Sequence, residues 1–558
     1  MQKRKTGVAL ALGQSRALAS ICPTCTACVT EEDAEAVQPN SICAPHSEAT
    51  RLKESFHDGQ ARHSRVKLVL QYSVIILCCQ TNSMSLPQLV NRHNEAADLS
   101  RLADSGQKQL GILYGRRQVG KTYLLQHSWG DRRVFYFLLA EQTPDLNRQD
   151  LLRELSAWSG TSYDPADYPT WRTVFRALID LASDDPLVVV LDEFQYVLGT
   201  GEVTSHLVAA WDPVPKNRPI TLMLAGSEIS TMSHLQAGSE PLFGRITWSS
   251  RLYPFDYRDA ARMAPHLAPR DAAYMYGIFG GSPRYLAALG EGESLAKGVS
   301  RTFVSPRGEV HLQMMSLLEQ ERGLRDLADY RSLLAVAARS AELKDVVEAT
   351  KIEEHVARRK LETLENLTLV RRERNFEASA KQPYRYYLAD NALAFWYSFV
   401  FPNRSRLIRE SSGSLWGAVI APQLDGYMGR IFEGMVREAY QRYATRWGLP
   451  SIKMWGHWEG VDHDRQPVEL DIASRTDDGR LLAGEVKWSA DTRGPGLHTS
   501  VLNKLSRLAV SGQGWAKDVD NALFLYVSAG GFAPEMTALQ EADPRVHFLT
   551  LSDLYPDD

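Results

Sequence analysis

Four short apolar runs punctuate the first half of the chain: Leu110-Gly-Ile-Leu-Tyr114, Val134 to Leu139, Leu187-Val-Val-Val-Leu191 and Ile220 to Ala225. Runs of this length, rich in branched side chains, read as buried strands. Between them apolar positions recur at helical spacing, over Ala96 to Leu102, Leu146 to Trp158 and Trp171 to Leu181. Strands alternating with amphipathic helices predict an α/β fold: a parallel sheet covered on both faces, with its ligand at the carboxyl ends of the strands. Residues 270 to 325 carry helical patterns and few strand signals. Three helical stretches follow, at Arg331 to Ala338, Leu343 to Ala349 and Glu353 to Asn366, and then two strand-like runs, Thr368 to Arg374 and Tyr384 to Ala389. Helix, helix, helix and hairpin is the order of a winged helix-turn-helix. Further on, a helix opens at Gly429 and runs to about Tyr443, and strands are expected at Pro467 to Ala473, Arg480 to Trp488, Ala522 to Val527 and Val546 to Leu551.

The first strand leads directly into Gly115-Arg116-Arg117-Gln118-Val119-Gly120-Lys121-Thr122, a phosphate-binding loop of the pattern Gly-x-x-x-x-Gly-Lys-Thr without a mismatch. Gly115 and Gly120 let the backbone curl so that successive N–H groups face a phosphate; Lys121 reaches the β- and γ-phosphates, Thr122 offers a hydroxyl to Mg²⁺, and the next helix points its positive end at the anion. The third strand delivers Asp192 and Glu193 side by side. Opposite a phosphate loop, Asp192 would hold the metal and Glu193 would orient and deprotonate the attacking water. After the fourth strand, Ser227 stands either as a γ-phosphate sensor or as a helix N-cap.

These residues carry a resemblance. Asn91-Arg92 with Glu95, the phosphate loop, Leu191-Asp-Glu-Phe-Gln195, Ala225-Gly-Ser227, Leu242-Phe-Gly-Arg245, Tyr253-Pro-Phe-Asp-Tyr257 and Phe279-Gly-Gly-Ser-Pro283 occur in the order of the archaeal-type ATPase family, a STAND branch of the AAA+-like P-loop NTPases. The resemblance implies ATP and Mg²⁺ as cofactors, Arg92 near the adenine, and a helical lid marked by Gly281-x-Pro283. It offers Arg245 as an arginine finger, with a salt bridge holding the lid as the alternative. It also implies a winged helix where the pattern places one. There Arg358, Arg359, Lys360, Arg371, Arg372 and Arg374 could meet DNA phosphates, but Glu353, Glu354, Glu362 and Glu365 share the third helix and keep its net charge modest, and the resemblance to STAND-like proteins implies an internal switch surface.

In the last region Asp471 on one strand and Glu485 and Lys487 on the next can converge across a hairpin turning at Asp477-Asp-Gly479. Two carboxylates and a lysine suit metal-dependent phosphodiester hydrolysis. The spacing resembles the PD-(D/E)xK restriction-endonuclease-like fold, with Glu433 matching its first-helix acid and Leu470 standing where the motif has proline. Glu433, Asp471 and Glu485 would be the metal ligands; the bland alternative is a hairpin with a charged outer face.

At 558 residues the chain exceeds a single core. The expected division is a leader over 1–83, disordered or wrongly included, an ATPase core over 84–262, a lid over 263–326, the winged helix over 327–400 and the nuclease-like domain over 401–558. All six cysteines fall within the first 79 residues, where Cys22, Cys25, Cys28, Cys43 and His46 have metal-ligand spacing as the competing reading. A net charge of −4 gives no global sign of a nucleic-acid binder, and no apolar run reaches membrane-spanning length, so a cytoplasmic protein without a membrane is expected. The expected function is an ATP-hydrolysing switch controlling a nuclease-like domain on DNA, triggered by a protein partner or by self-assembly. The alternative is a nucleotide-gated module with an inactive carboxyl-terminal domain.

Overall fold

The computed structural model describes residues 89–556 except 183–184, 200 and 322–323, so the leader and its cysteines lie outside the described residues. Five parallel strands, β1 (Gln109–Tyr114), β2 (Val134–Leu138), β3 (Leu187–Asp192), β4 (Ile220–Gly226) and β5 (Trp248–Arg251), stand in the order β2-β3-β4-β1-β5. Successive side chains point to opposite faces, and both faces are dry. Val189 and Leu191 join Ile112 and Leu224 in one core, while Val188 and Val190 join Leu113 and Ala225 in another. Burial on both sides is why these strands are unbroken apolar runs. The edge strand β5 is Trp-Ser-Ser-Arg, which carries no such run, and the sequence pattern does not show it. The chain leaves β1 for the far edge and returns to β1's side at β4, so the phosphate loop opens where strand order reverses.

The lid contains the helices Pro269–Phe279, Pro283–Leu286, Leu295–Val299 and Glu309–Ser316. Its glycine pair is sterically required. A Cβ on Gly281 would sit 1.9 Å from the Phe255 carbonyl oxygen, and Gly281 itself accepts from Phe255 N at 2.7 Å. The next helices, Leu327–Ala337, Leu343–Thr350 and Glu354–Asn366, pack with a small antiparallel sheet of β6 (Ala341–Glu342), β7 (Val370–Glu373) and β8 (Arg385–Leu388) in the order β6-β8-β7.

The last region is built on the helix Leu424–Tyr443, which begins one turn before the expected Gly429. Its sheet contains β9 (Ile452–Met454), β12 (Ile472–Thr476), β13 (Leu481–Lys487), β14 (Leu523–Ser528) and β15 (Val546–Thr550), in the order β15-β14-β13-β12-β9. Beside it β10 (Trp458–Val461) and β11 (Pro467–Leu470) form a separate antiparallel ribbon. The single strand expected over 467–473 is therefore two strands broken at Asp471. Val468, Leu470 and Ala473 enter one core and Ile472 another, so side-chain parity flips at the break. The Asp471 carboxylate accepts from Val486 N at 2.9 Å, tying the bend to β13.

The loop after β7 is anchored in this region. Phe376 N donates to the His457 carbonyl at 2.8 Å, and Asn375 pairs both ways with the Glu459 backbone at 2.8 and 3.0 Å. Phe376 is buried edge-on against Trp515. Phe376→Ala should remove roughly 3–5 kcal/mol from the stability of the carboxyl-terminal region, lowering the urea midpoint followed by tryptophan fluorescence. A midpoint equal to the parent's would show that the hairpin is not anchored there.

Candidate functional site

The phosphate loop runs from β1 to the helix Lys121–His127, which starts at Gly120 with φ +92° and no side-chain cap. The first N–H groups of that helix thus lack a side-chain acceptor at the point where an anion would sit. A Cβ on Gly115 would come within 2.3 Å of the Leu252 carbonyl oxygen. Lys121 is buried, its ammonium donating to the loop's own carbonyls of Gly115 at 2.8 Å and Arg116 at 3.1 Å. Burial holds its pKa below the ordinary lysine range against the pull of Glu193 and Asp192.

Asp192, fully buried at the end of β3, faces that helix. Its Oδ2 accepts from Thr122 Oγ1 at 2.7 Å and Tyr136 Oη at 2.5 Å, and its Oδ1 from Glu193 N at 2.8 Å. Glu193 takes a left-handed backbone, φ +55°, which turns its carboxylate to the Ser227 hydroxyl at 2.7 Å and to the Gln195 amide. Gln195 Nε2 also donates to Ser227 Oγ at 3.1 Å. Ser227 is therefore part of the acid cluster and not a helix N-cap; that position belongs to Glu228. Tyr136 leaves no signal in the sequence because it sits among apolar neighbours that explain it as core, and Gln195 stands there only as the end of the Leu191 to Gln195 motif, without a role. The set fits Mg²⁺ and a triphosphate: a hydroxyl and a carboxylate at contact distance, a buried ammonium with only neutral direct partners, and a second carboxylate held beside them.

The other loop residues turn outward. Arg116 forms a buried ion pair with Asp390 at 2.5 Å, and Asp390 also caps the helix Asn391–Phe395 through Ala392 N and Leu393 N. Arg117 donates to Tyr196 Oη at 3.0 Å, Gln118 pairs with Gln313 of the lid and accepts from Ser282 Oγ at 3.0 Å, and Val119 is core. Glu321 completes the charge around the loop; burial raises its pKa while Arg116, Arg117 and Lys121 lower it. Arg92 donates to the Tyr253 carbonyl at 2.5 Å, lies over the Phe255 ring and pairs weakly with Glu95, which fixes it on the turn joined to Gly281. Arg245 stands elsewhere. It grips Asp212 with two 2.7 Å bonds beside the start of β1, where Thr247 N meets the Leu110 carbonyl. At about 3.3 Å per strand residue that is roughly 13 Å from the loop end of β1. The reading of Arg245 as a finger on this chain's own phosphate, or as a lid salt bridge, is corrected accordingly.

In the carboxyl-terminal region Asp471, Glu485 and Lys487 do converge, as ion pairs. Lys487 Nζ lies 2.8 Å from Asp471 Oδ2 and contacts Glu485, whose other oxygen takes Lys504 at 2.6 Å. Burial opposes the Lys487 charge, but Asp471 and Glu485 outweigh it and raise its pKa. Burial, then Asp471, raises Glu485 and pushes Glu433 up to about 8. Glu433, Asp471 and Glu485 are not gathered as one ligand set. Among the described residues, Asp462, His463 and Asp464 alone form a trio of potential ligands within 4.8 Å, on a turn where Arg507 pairs with Asp462. In this arrangement a lysine ammonium joins Asp471 to Glu485, while Glu433 lines a cavity with Asp471.

The basic residues of the middle helices are largely spoken for. Lys360 is buried against Asp329 at 2.8 Å, Arg358 pairs with Glu354 at 2.8 Å and Arg372 with Glu365 at 3.2 Å. Among the described residues no helix is long and apolar enough to cross a membrane.

Residues 89–289 match the family described as an ATPase domain predominantly from Archaea, and residues 396–497 match a family of archaeal and bacterial proteins of unknown function. An uncharacterized protein of Methanocaldococcus jannaschii is 25% identical over 409 residues, covering 72% of this chain and 87% of the relative. Among solved structures, the Walker-type ATPase of Pyrococcus abyssi is 20% identical with a TM-score of 0.42, over 56% of this chain and 96% of that one. The ORC2 protein of Aeropyrum pernix is 16% identical with a TM-score of 0.41, over 59% and 98%. Residues 89–289 are similar to that archaeal ATPase domain and carry the parallel sheet and phosphate loop of a nucleotide-binding P-loop ATPase.

Proposed function

We propose that the chain is an ATP-hydrolysing switch of the STAND type whose nucleotide state controls a nuclease-like carboxyl-terminal domain acting on DNA. The observation that carries the ATPase half is the 2.7 Å contact between Thr122 and Asp192 beside the tethered Glu193. Mg²⁺ bound there would neutralise charge on the β- and γ-phosphates. Thr122 and Asp192 would hold it, and Lys121 would exchange the loop carbonyls for phosphate oxygens. Glu193 takes a proton from the water that attacks the γ-phosphorus as the bond to the β-phosphate oxygen breaks. Ser227 and Gln195 keep that carboxylate in place. Arg116 with Asp390, and Gln118 with Ser282 and Gln313, are the contacts through which the loop would move its neighbours.

For the carboxyl-terminal domain a second reading has a specific observation behind it. Lys487 bridges Asp471 and Glu485, and those acids form no ligand trio with Glu433, which favours binding without cleavage.

Lys121→Ala should weaken fluorescent ATP-analogue binding at least a hundredfold. Glu193→Gln should bind within about threefold of the parent and lose about 10²–10⁴ in turnover; hydrolysis at the parental rate would strip Glu193 of its role. Asp390→Asn keeps the helix-cap acceptor but removes the charge facing Arg116, so steady-state turnover should change severalfold; unchanged kinetics would disconnect that pair from the switch. With Mg²⁺ or Mn²⁺, plasmid nicked by the parent and intact with an Asp471→Ala, Lys487→Ala double variant supports the nuclease. Plasmid intact with both supports the second reading.

A further inference from the structure

Where the β7–β8 hairpin meets the helix Leu424–Tyr443 and β10, a cavity of about 90 Å³ adjoins another of about 460 Å³. Both are lined by Arg371, Tyr387, Arg430 and Arg437, and the smaller also by Arg374 and Asp471. Four arginines share the lining of the smaller cavity with five carboxylates, Glu373, Glu433, Glu459, Glu469 and Asp471, but of these only Glu373 makes a direct ion pair with a lining arginine. Arg371 and Arg437 share one carboxylate, Glu373, at 3.4 and 3.1 Å. Arg430 has no carboxylate partner among the described residues and instead stacks 4.8 Å from the Tyr387 ring. The Nε of Arg374 is buried without an acceptor, and the buried Nε of Arg371 has the long contact to Glu373 but no hydrogen bond. Glu433, Glu469 and Asp471 belong to the same lining, and burial with Asp471 raises both glutamates.

Rings are interleaved with these charges. Tyr387, Trp455 and His457 line the smaller cavity, and Tyr387 meets His457 edge-on. Guanidinium groups with few direct ion-pair partners, set among aromatic faces, are the chemistry that holds phosphates and stacks bases of an unpaired strand. The volumes suit a nucleotide-sized ligand. A duplex, whose major groove alone is about 12 Å wide, would need a free protruding element, and the hairpin tip is anchored by Phe376.

We infer that this cleft binds a single strand of nucleic acid, its phosphates clamped by arginines from the hairpin and from the long helix beside Asp471. The middle module is then one jaw of the carboxyl-terminal site and not an independent reader of duplex DNA. This rests on the reading that the carboxyl-terminal domain acts on nucleic acid, and it names the form of that substrate.

The test is fluorescence anisotropy of a short labelled oligothymidylate on the full chain in EDTA, beside a duplex of equal length. The parent should prefer the single strand. Arg430→Glu, at an exposed side chain with no ion pair of its own, should weaken binding at least tenfold and flatten the salt slope by about 0.7 for each phosphate it no longer neutralises. Arg371→Ala should act in the same direction, and Arg409→Glu, exposed on another segment, should stay within about twofold of the parent. Parental affinity in Arg430→Glu and Arg371→Ala, equal weakening by Arg409→Glu, a preference for duplex, or equal competition by polyglutamate would overturn the assignment. With Mg²⁺ added, a parent that binds through Arg430 but never cuts removes the nuclease reading alone. Cutting undiminished in Arg430→Glu and Arg371→Ala removes the cleft and leaves that reading intact.

Discussion

A carboxylate with no access to water has to be satisfied by its neighbours, and Asp192 organises the ATPase domain for that reason. Its oxygens accept from Thr122, Tyr136 and the backbone of Glu193, so three separate segments are held at one point. Losing one donor would leave a buried charge short of a bond, which is costly. The hydroxyl and carboxylate it joins are also the pair that a phosphate-bound cation would require. Glu193 is displaced from regular strand geometry by the same requirement and turns to Ser227.

The positively charged groups around the loop follow a common pattern. Lys121 rests on peptide carbonyls, Arg116 on Asp390 and Arg117 on a tyrosine hydroxyl. A phosphate is a stronger partner than a carbonyl or a phenol for such cations. Asp390 differs, since its ion pair is buried and it serves as a helix cap at the same time. Any exchange of partners by Arg116 therefore acts on the start of the helix Asn391–Phe395.

The elements of the ATPase sheet were legible wherever burial on both faces made the strand wholly apolar, and the phosphate loop was legible because glycine and lysine spacing is dictated by backbone geometry. The edge strand β5 carries serines in place of an apolar run and left no pattern. The chemistry of Asp471 is legible in the sequence but the break at it is not, since strict alternation from Val468 to Ile472 conceals a change of sheet. Arg245 was identified through its position after Leu242-Phe-Gly, whereas its partner Asp212 lies at the end of another helix and only the fold joins them. Ion pairs such as Arg116 with Asp390 span most of the domain order and have no local signature at all.

The route between the two charged centres can be followed atom by atom. Asp390 meets the phosphate loop, and the next residue, Asn391, accepts from Tyr427 Oη at 3.1 Å; that hydroxyl also reaches the Gly277 carbonyl of the lid at 2.8 Å. Tyr427 lies on the helix that carries Arg430 and Glu433 one and two turns further along. The lid helix packs directly on it, with Gly277 so near Met428 that a Cβ would sit 2.4 Å from its sulfur. A rotation of the long helix large enough to break the Tyr427 contacts must also move Arg430 relative to Tyr387, because a helix transmits displacement along its axis as a stiff rod. The partner of the phosphate loop and the helix that carries Arg430 and Glu433 are thus joined through Tyr427, and the hairpin anchored at Phe376 meets the same helix through Glu373 with Arg437 and Tyr387 with Arg430.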